Sequence, residues 1–312
     1  MELSVIIPIY NEEGNITKLH ERLTSTLNPL GKSYELIFVN DGSRDGSMQL
    51  IQRLAAQYPY IRYINFSRNF GHQVAVAAGL DYSAGDAVVI IDADLQDPPE
   101  LIKEMFEKMQ QGFEVVYAKR RSRTGESFMK KATARMFYRI LSSITSIDIP
   151  LDTGDFRLIH RKIVDVLKHM PEQHKFLRGQ ISWAGFHQTY VEYDREERHA
   201  GQTGYTYKKM MRFALDGITS FSNLPLKFAT MLGFAVSLIS FFFALYALYS
   251  RFISKDYVQG WTSLMLVVLF IGGVQLVCIG IIGEYISRLS DNVRNRPLYI
   301  IQDTNIKKDQ GS

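Results

Sequence analysis

Apolar residues follow two different rhythms along this chain. In the first, short runs rich in valine and isoleucine at residues 3–8, 34–39, 63–66, 87–91 and 114–118 alternate with stretches of helical spacing at 16–27, 46–57, 72–82 and 99–111. Runs this short, bounded by turn residues, predict strands buried on both faces. Their alternation with helices predicts a mainly parallel sheet covered on both sides, so the expected fold class is α/β. The alternation stops after Ala118. Beyond it Phe128, Ala132, Met136, Phe137, Ile140, Leu141 and Ile144 make an apolar helical stripe, with Lys130, Lys131, Arg135 and Arg139 on the other faces. That pattern fits an ordinary domain helix and a helix lying among lipid headgroups equally well. Residues 152–157 read as a polar turn, 162–169 as a helix, and 195–207 as a basic loop entering an amphipathic helix over 207–221.

The second rhythm is continuous. Residues 228–249 and 261–283 contain no charged side chain, and at about 1.5 Å per residue each would cross roughly 30 Å of hydrocarbon as a helix. They predict a two-helix transmembrane hairpin, 228–249 and 261–283, joined by a short extracytoplasmic loop at 250–260. Before it lie a domain at 1–206 and a juxtamembrane helix at 207–227, and after it a tail at 284–312. Lys208, Lys209, Arg212 and Lys227 precede the first span and Arg288, Arg294 and Arg296 follow the second, whereas the connector holds only Arg251 and Lys255 beside Asp256. By the positive-inside rule the domain and both termini are expected in the cytoplasm, at the inner face of a plasma membrane. Gly272, Gly273, Gly280 and Gly283 permit close approach in the second span, either between the two helices or between subunits of a homo-oligomer.

Other features narrow the class. The apolar run at 5–9 is short, contains Pro8 and lacks a basic flank, so it reads as a first strand and not as a signal peptide. Cys278 is the sole cysteine and falls within the second span, which excludes internal disulfides and cysteine-rich zinc sites. Net charge is only +4, but residues 119–139 carry eight Lys or Arg against one acid, Glu126. This makes a local basic belt next to a membrane, and no nucleic-acid partner is expected.

Candidate chemistry gathers at the carboxyl ends of the strands, where ligands of such sheets bind. The run 87–91 delivers Asp92 and Asp94; alternation in extended chain would send both to one face, where two carboxylates can hold a hard divalent cation and through it a diphosphate. Asp97, Pro98 and Glu100 fit the N-cap, N1 and N3 positions of the next helix. Tyr10-Asn11-Glu12 and Asp41-Gly42-Ser43 fall at the same edge, although each could serve only as a cap or turn. Neither G-x-G-x-x-G nor G-x-x-x-x-G-K-[ST] occurs, so phosphate would be held by metal and basic side chains, not by a glycine cradle.

The segments Val5-Ile6-Ile7-Pro8-Ile9-Tyr10-Asn11-Glu12-Glu13, Val39-Asn40-Asp41-Gly42-Ser43, Ser67-Arg68-Asn69-Phe70-Gly71, the stretch from Asp92 to Glu100, and Asp155-Phe156-Arg157-Leu158 resemble family 2 glycosyltransferases. Specifically, they resemble the polyprenyl-phosphate glycosyltransferases, bactoprenol glucosyltransferases and dolichol-phosphate mannose synthases among them. The resemblance implies a GT-A nucleotide-sugar-binding fold over 1–206. It places Pro8, Tyr10, Glu12 and Asp41 around the nucleotide, and Asp92, Asp94 and Gln96 around a metal, Mg2+ or Mn2+, and the diphosphate, with Asp94 the direct ligand. Arg120, Lys131 and Arg198 fall where such enzymes set basic residues against donor and acceptor phosphates. Asp155 matches an acid near the reacting centre that favours the glucosyltransferase branch. The implied reaction is inverting transfer of a hexose, glucose from UDP-glucose first, to a polyprenyl phosphate such as undecaprenyl phosphate, with Asp94 and Asp155 catalytic. Two alternatives stand beside it. A processive polysaccharide synthase would need more spans and Q-x-x-R-W, which 173–179 lacks; a non-catalytic nucleotide-binding scaffold would not need every acid retained.

Overall fold

A computed structural model describes residues 1–121, 153–194, 224–249 and 260–306. Lys131, Arg198, the apolar stripe at 128–144, the helix at 207–221 and nearly all of the 250–260 connector lie outside them. Contacts divide the chain into a unit made of Met1–Asp216 with Pro297–Ser312 and a unit made of Gly217–Arg296.

The first unit is built on one sheet. Its strands are β1 (Leu3–Ile9), β2 (Tyr34–Asn40), β3 (Ile61–Phe66), β4 (Ala87–Ile90), β5 (Val115–Arg120), β6 (Thr153–His160), β7 (Gln188–Tyr193) and β8 (Ile301–Thr304), in the order β7-β5-β6-β4-β1-β2-β3-β8. β1 pairs in parallel with β2 and β4, β2 with β3, and β5 with β7; β6 runs antiparallel between β4 and β5, and β8 antiparallel along β3. The helices are α1 (Glu13–Leu27), α2 (Ser47–Gln57), α3 (His72–Tyr82), α4 (Leu101–Gln110), α5 (Arg161–Lys168) and α6 (Leu177–Trp183).

Every residue of β1 is buried, because helices cover both faces. Leu3, Val5, Ile7 and Ile9 join one core with Leu19 and Leu23 of α1 and Met105 of α4, while Ile6 joins the other with Val76 of α3 and Ile163 of α5. This is the parallel sheet that the short apolar runs predict. Three strands were not expected. β6 occupies the segment read as a polar turn, β7 is a further edge strand, and β8 turns part of the expected 284–312 tail into the last strand of the sheet.

The second unit holds α7 (Leu224–Tyr249) and α8 (Trp261–Arg294). Both are long and apolar enough to cross a membrane, with the apolar windows at Leu226–Phe243 and Phe270–Arg294. Large side chains such as Met231, Phe234, Leu276 and Val293 are exposed on them, as lipid-facing residues would be. α7 begins inside the segment assigned to the juxtamembrane helix, and α8 runs past 283, its polar end carrying a Glu284–Arg288 ion pair one turn apart at 3.1 Å. Cys278 Sγ approaches the Ala229 carbonyl oxygen at 3.5 Å, joining the two helices. Among the described residues, a Cβ added at Gly272, Gly273, Gly280 or Gly283 would meet nothing within 4 Å.

Candidate active site

The sheet changes direction between β1 and β4. From β1 the chain proceeds outward through β2 and β3, then returns to place β4 on the other side. Crevices form at such switch points. Here Pro8 opens it. Ile91 N–H donates to Ile6 O, so the alternation of a strand turns Pro8, two residues on, to the same β4 side, where proline has no N–H to offer. The β1–β4 register accordingly ends at Ile6 and Ile90, while β1 continues along β2 as far as Ile9.

On the β2 side of this edge a loop is pinned by Asp41. Its buried carboxylate accepts from Phe70 N–H at 2.6 Å, Gly71 N–H at 3.0 Å and Asn69 Nδ2 at 2.9 Å. Burial pushes the Asp41 carboxyl up, against the pull of these amides and of His72 and Arg68. Gly42 follows with φ +67°, and a Cβ there would lie 2.6 Å from the backbone of Arg68 and Asn69. Tyr10 stands exposed beyond the end of β1. Glu12 sits at the N-cap of α1, accepting from Asn15 Nδ2 at 2.5 Å, and its N–H donates to Ser47 Oγ at 3.1 Å.

The acidic segment behaves differently from its sequence expectation. Extended chain ends at Ile90, and residues 93–94 form a turn that passes through Leu95 at φ +60°. Strand alternation therefore does not align Asp92 with Asp94. Asp94 is buried and its Oδ1 accepts from Gln96 N–H at 3.1 Å. Asp97 is not a helix cap. Pro98 and Pro99 each disfavour helix in the residue before them, so α4 starts only at Leu101, with Glu100 at its N-cap. Asp97 instead lies fully buried, its Oδ1 accepting from the Tyr193 hydroxyl, with Arg120 Nη2 at 4.0 Å. Arg120 also donates from Nε to the Tyr193 oxygen at 3.3 Å.

Asp155, on β6, is the hub. Its Oδ1 accepts from Arg178 Nε at 2.7 Å, and its Oδ2 lies 3.1 Å from His72 Nε2 and accepts from Gln73 Nε2 at 3.2 Å. Gln73 also accepts from Leu177 N–H through Oε1 at 3.3 Å, so one amide links the starts of α3 and α6 to this carboxylate. Beneath it the buried Arg157 donates to the carbonyl oxygens of Gly154 and Asp155. His72 reaches Asp92 as well, Nε2 to Oδ1 at 3.6 Å.

Charge follows geometry. Burial raises Asp155, but Arg178 and His72 overcome it and hold the carboxyl well below the usual range. Burial lowers His72, yet Asp92 and Asp155 carry it up to about 9. Asp92 is pushed up to about 6 by burial, which with the charges of Asp155, Asp97 and Asp94 outweighs the pull of His72. Burial brings Arg157 down to about 10 despite Asp155. Arg178 and His72 therefore sit on Asp155, while burial and the neighbouring acids leave Asp92 raised.

Sequence reasoning named Asp155 and Asp92 but missed His72, Gln73 and Arg178. Ser67–Gly71 was quoted for its resemblance, and its continuation into His72 and Gln73 was the signal available. Among the described residues no group of three or more His, Cys, Asp or Glu side chains is arranged to hold a metal.

The mostly parallel α/β sheet, with acids at its carboxyl edge, fits a GT-A-like fold. Residues 4–167 match the family described as Glycosyl transferase family 2, and residues 224–289 match the GtrB C-terminal hairpin. The chain belongs to glycosyl transferase family 2 and is a glycosyltransferase. It is 50% identical over 302 residues to the protein named uncharacterized glycosyltransferase YkcC of Bacillus subtilis (strain 168), covering 97% of this chain and 94% of that one. It is 40% identical to the SfII prophage-derived bactoprenol glucosyl transferase of Shigella flexneri, covering 97% and 98%. Among solved structures, glucosyl-3-phosphoglycerate synthase from Mycobacterium tuberculosis, with Mn2+, UDP and phosphoglyceric acid, gives a TM-score of 0.46 at 17% identity over 70% of this chain and 76% of that one. That likeness is too loose for anything to be carried across.

Proposed function

We propose that the protein transfers a hexose, glucose from UDP-glucose in the first instance, to a polyprenyl phosphate such as undecaprenyl phosphate at the cytoplasmic face of the membrane, with inversion at the anomeric carbon. The observation that carries this reading is the cluster of Asp92, Asp94 and Asp155 at the switch point, in a family 2 chain that also has the apolar hairpin. Near-complete alignment with a relative named for bactoprenol glucosyl transfer supports the acceptor class.

The physical difficulty is repulsion, since a lipid phosphate must approach a sugar whose leaving group is also anionic. Two like charges about 4 Å apart repel by about 4 kcal/mol at an effective dielectric near 20. Arg178 and His72, fixed on Asp155, supply positive charge on one side, and Arg120, with Lys131 and Arg198 carried over by resemblance, supplies it to the phosphates; arginine can do so in bidentate fashion. A phosphate monoester has a second pKa of about 6, so the acceptor needs no strong base. Asp155, ion-paired and held low, is unsuited to be one; it orients the two cations.

A divalent cation fits the remaining acids. Asp92 and Asp94 with the Gln96 amide are hard oxygen donors, and Asp92 Oδ1 is buried without a hydrogen bond. When bound, Mg2+ or Mn2+ would supply Lewis-acid neutralisation of the departing diphosphate. Pro8, Tyr10, Glu12 and Asp41 bound the nucleotide side of the crevice. Copies of the chain associate through the glycine-bearing face of α8, which size determination of the detergent-solubilised protein would check.

The test incubates purified protein with undecaprenyl phosphate and a panel of nucleotide sugars and identifies the lipid product by mass spectrometry. A hexosyl phospholipid made from UDP-glucose, and lost on chelation, is expected. Full turnover in excess chelator would remove the metal from the scheme, and no lipid product with any donor would remove the acceptor.

A further inference from the structure

β8 follows the second apolar helix in sequence, yet it is bonded into the sheet that precedes the first, along β3. The approach to it is dominated by one side chain. The ring of Tyr299 stacks on Phe66, the last residue of β3, with centroids 5.2 Å apart and planes 19° from parallel. Its hydroxyl donates to Asp81 Oδ2, near the end of α3, at 2.8 Å. Tyr299 thus grips both the strand that enters the Ser67–Gly71 loop and the helix that leaves it. The next residue takes hold of the loop itself, Ser67 N–H donating to Ile300 O at 3.0 Å. Phe66 in turn meets Phe70 edge-on at 5.5 Å, and Phe70 N–H is one of the donors on Asp41. Side chains as well as the ladder set the register. Tyr63 N–H donates to Asn305 Oδ1 at 2.8 Å, Asn305 Nδ2 to Ile61 O at 3.0 Å, and the Tyr63 hydroxyl to Asp303 Oδ2 at 2.9 Å.

We propose that Tyr299, backed by β8, is a positioning residue of the nucleotide site. It is a clamp, supplied by the segment after α8, that sets the Ser67–Gly71 loop and through it Asp41 and His72. The proposal rests on the nucleotide reading given above. A five-residue loop left to itself spreads over many conformations; a side chain holding both of its flanks narrows them. Nucleotide affinity then scales with the fraction of molecules whose loop is set. The bland alternative is that β8 only covers a sheet edge. That would make Tyr299 matter for stability and not for binding.

The experiment uses full-length, detergent-purified protein and UDP as the probe. Calorimetry gives the Kd for the wild type, Tyr299→Ala, Tyr299→Phe and, as a comparison on the exposed part of β8, Gln302→Ala. Hydrogen exchange reads the amides of Phe70 and Gly71. Tyr299→Ala is expected to weaken UDP binding about tenfold, as when about one molecule in ten keeps the loop set. It is also expected to raise the donor KM more than it lowers kcat, and to speed exchange at both amides, with Gln302→Ala unchanged. Wild-type affinity and exchange in Tyr299→Ala, with only a lower melting temperature, would overturn the proposal. If Tyr299→Ala does not fold, Tyr299→Phe decides, since it removes the Asp81 bond alone: faster exchange at Phe70 and Gly71 supports the clamp, and unchanged exchange overturns it. Absence of UDP binding by the wild type would instead overturn the nucleotide reading, and the exchange rates would still tell whether Tyr299 sets the loop.

Discussion

A carboxylate that holds three donors is an anchor before it is a base. Asp155 accepts from Arg178 and Gln73 and lies at hydrogen-bond distance from His72, so in the function proposed above its use lies in where it keeps them. Asp155→Asn should therefore cost turnover by misplacing cations, although the fold survives. Arg178→Ala should lower kcat by about 10²-fold, the scale of a misplacement of about 1 Å, and also destabilise the domain, by about 3 kcal/mol if Asp155 behaves as an ordinary buried partner left behind. Steady-state kinetics and a urea melt on the same preparations check both effects. The pH dependence has a definite sign. His72 is raised to about 9 in the fold against about 6.5 unfolded, so its contribution to stability is complete below about 6.5 and is lost as pH rises through about 9. In chelator, wild-type melting temperature should fall between pH 7 and 9 more steeply than that of His72→Gln. Parallel curves would show that His72 does not titrate with folding.

At the scale of elements, the site is made of turns whose backbones leave little room. Gly42 combines a left-handed φ with a 2.6 Å approach to the Ser67–Gly71 loop. Gly42→Ala is therefore strained twice, by conformation and by contact, which should destabilise by about 1–3 kcal/mol and weaken UDP binding by displacing the loop; a melting curve and a UDP titration would show it. The same elements explain what the sequence made readable. β1, β2 and β4 announce themselves because both faces of these strands are buried and nearly all apolar, leaving runs that nothing else explains. β6 hides because Phe156 and Leu158 lie in the core while Asp155 and Arg157 build the site, so its alternation looks like a polar turn. Asp92 and Asp94 were legible as acids at a strand end, and Asp155 only through the family resemblance of its segment. Gln73 and Arg178 were not, since their meaning lies in a partner 82 and 23 residues away, and Asp97 was misread because two prolines in succession delay the helix it was expected to cap.

At the scale of the whole molecule, the sheet constrains how the chain can be threaded through a membrane. β8 comes after α8 and β3 comes before α7, yet the two are hydrogen-bonded neighbours. The chain must therefore cross an even number of times between them, so α7 and α8 either both span or neither does. A single span, or an orientation that separates the tail from the domain, would pull β8 from the sheet and expose the edge of β3. On the orientation proposed above, the basic residues around the hairpin, Lys208, Lys209, Arg212 and Lys227 before it and Arg288, Arg294 and Arg296 after it, set the shared side in the cytoplasm. Single cysteines placed in a Cys278→Ser background test both statements together. Lys255→Cys, in the connector, should react with an impermeant maleimide from outside intact cells, and Gln302→Cys, on β8, only after the membrane is opened. Labelling of both positions from one side would mean that neither helix crosses. Reaction of Gln302→Cys alone from outside would reverse the orientation and leave the sites for nucleotide sugar on the wrong side of the bilayer.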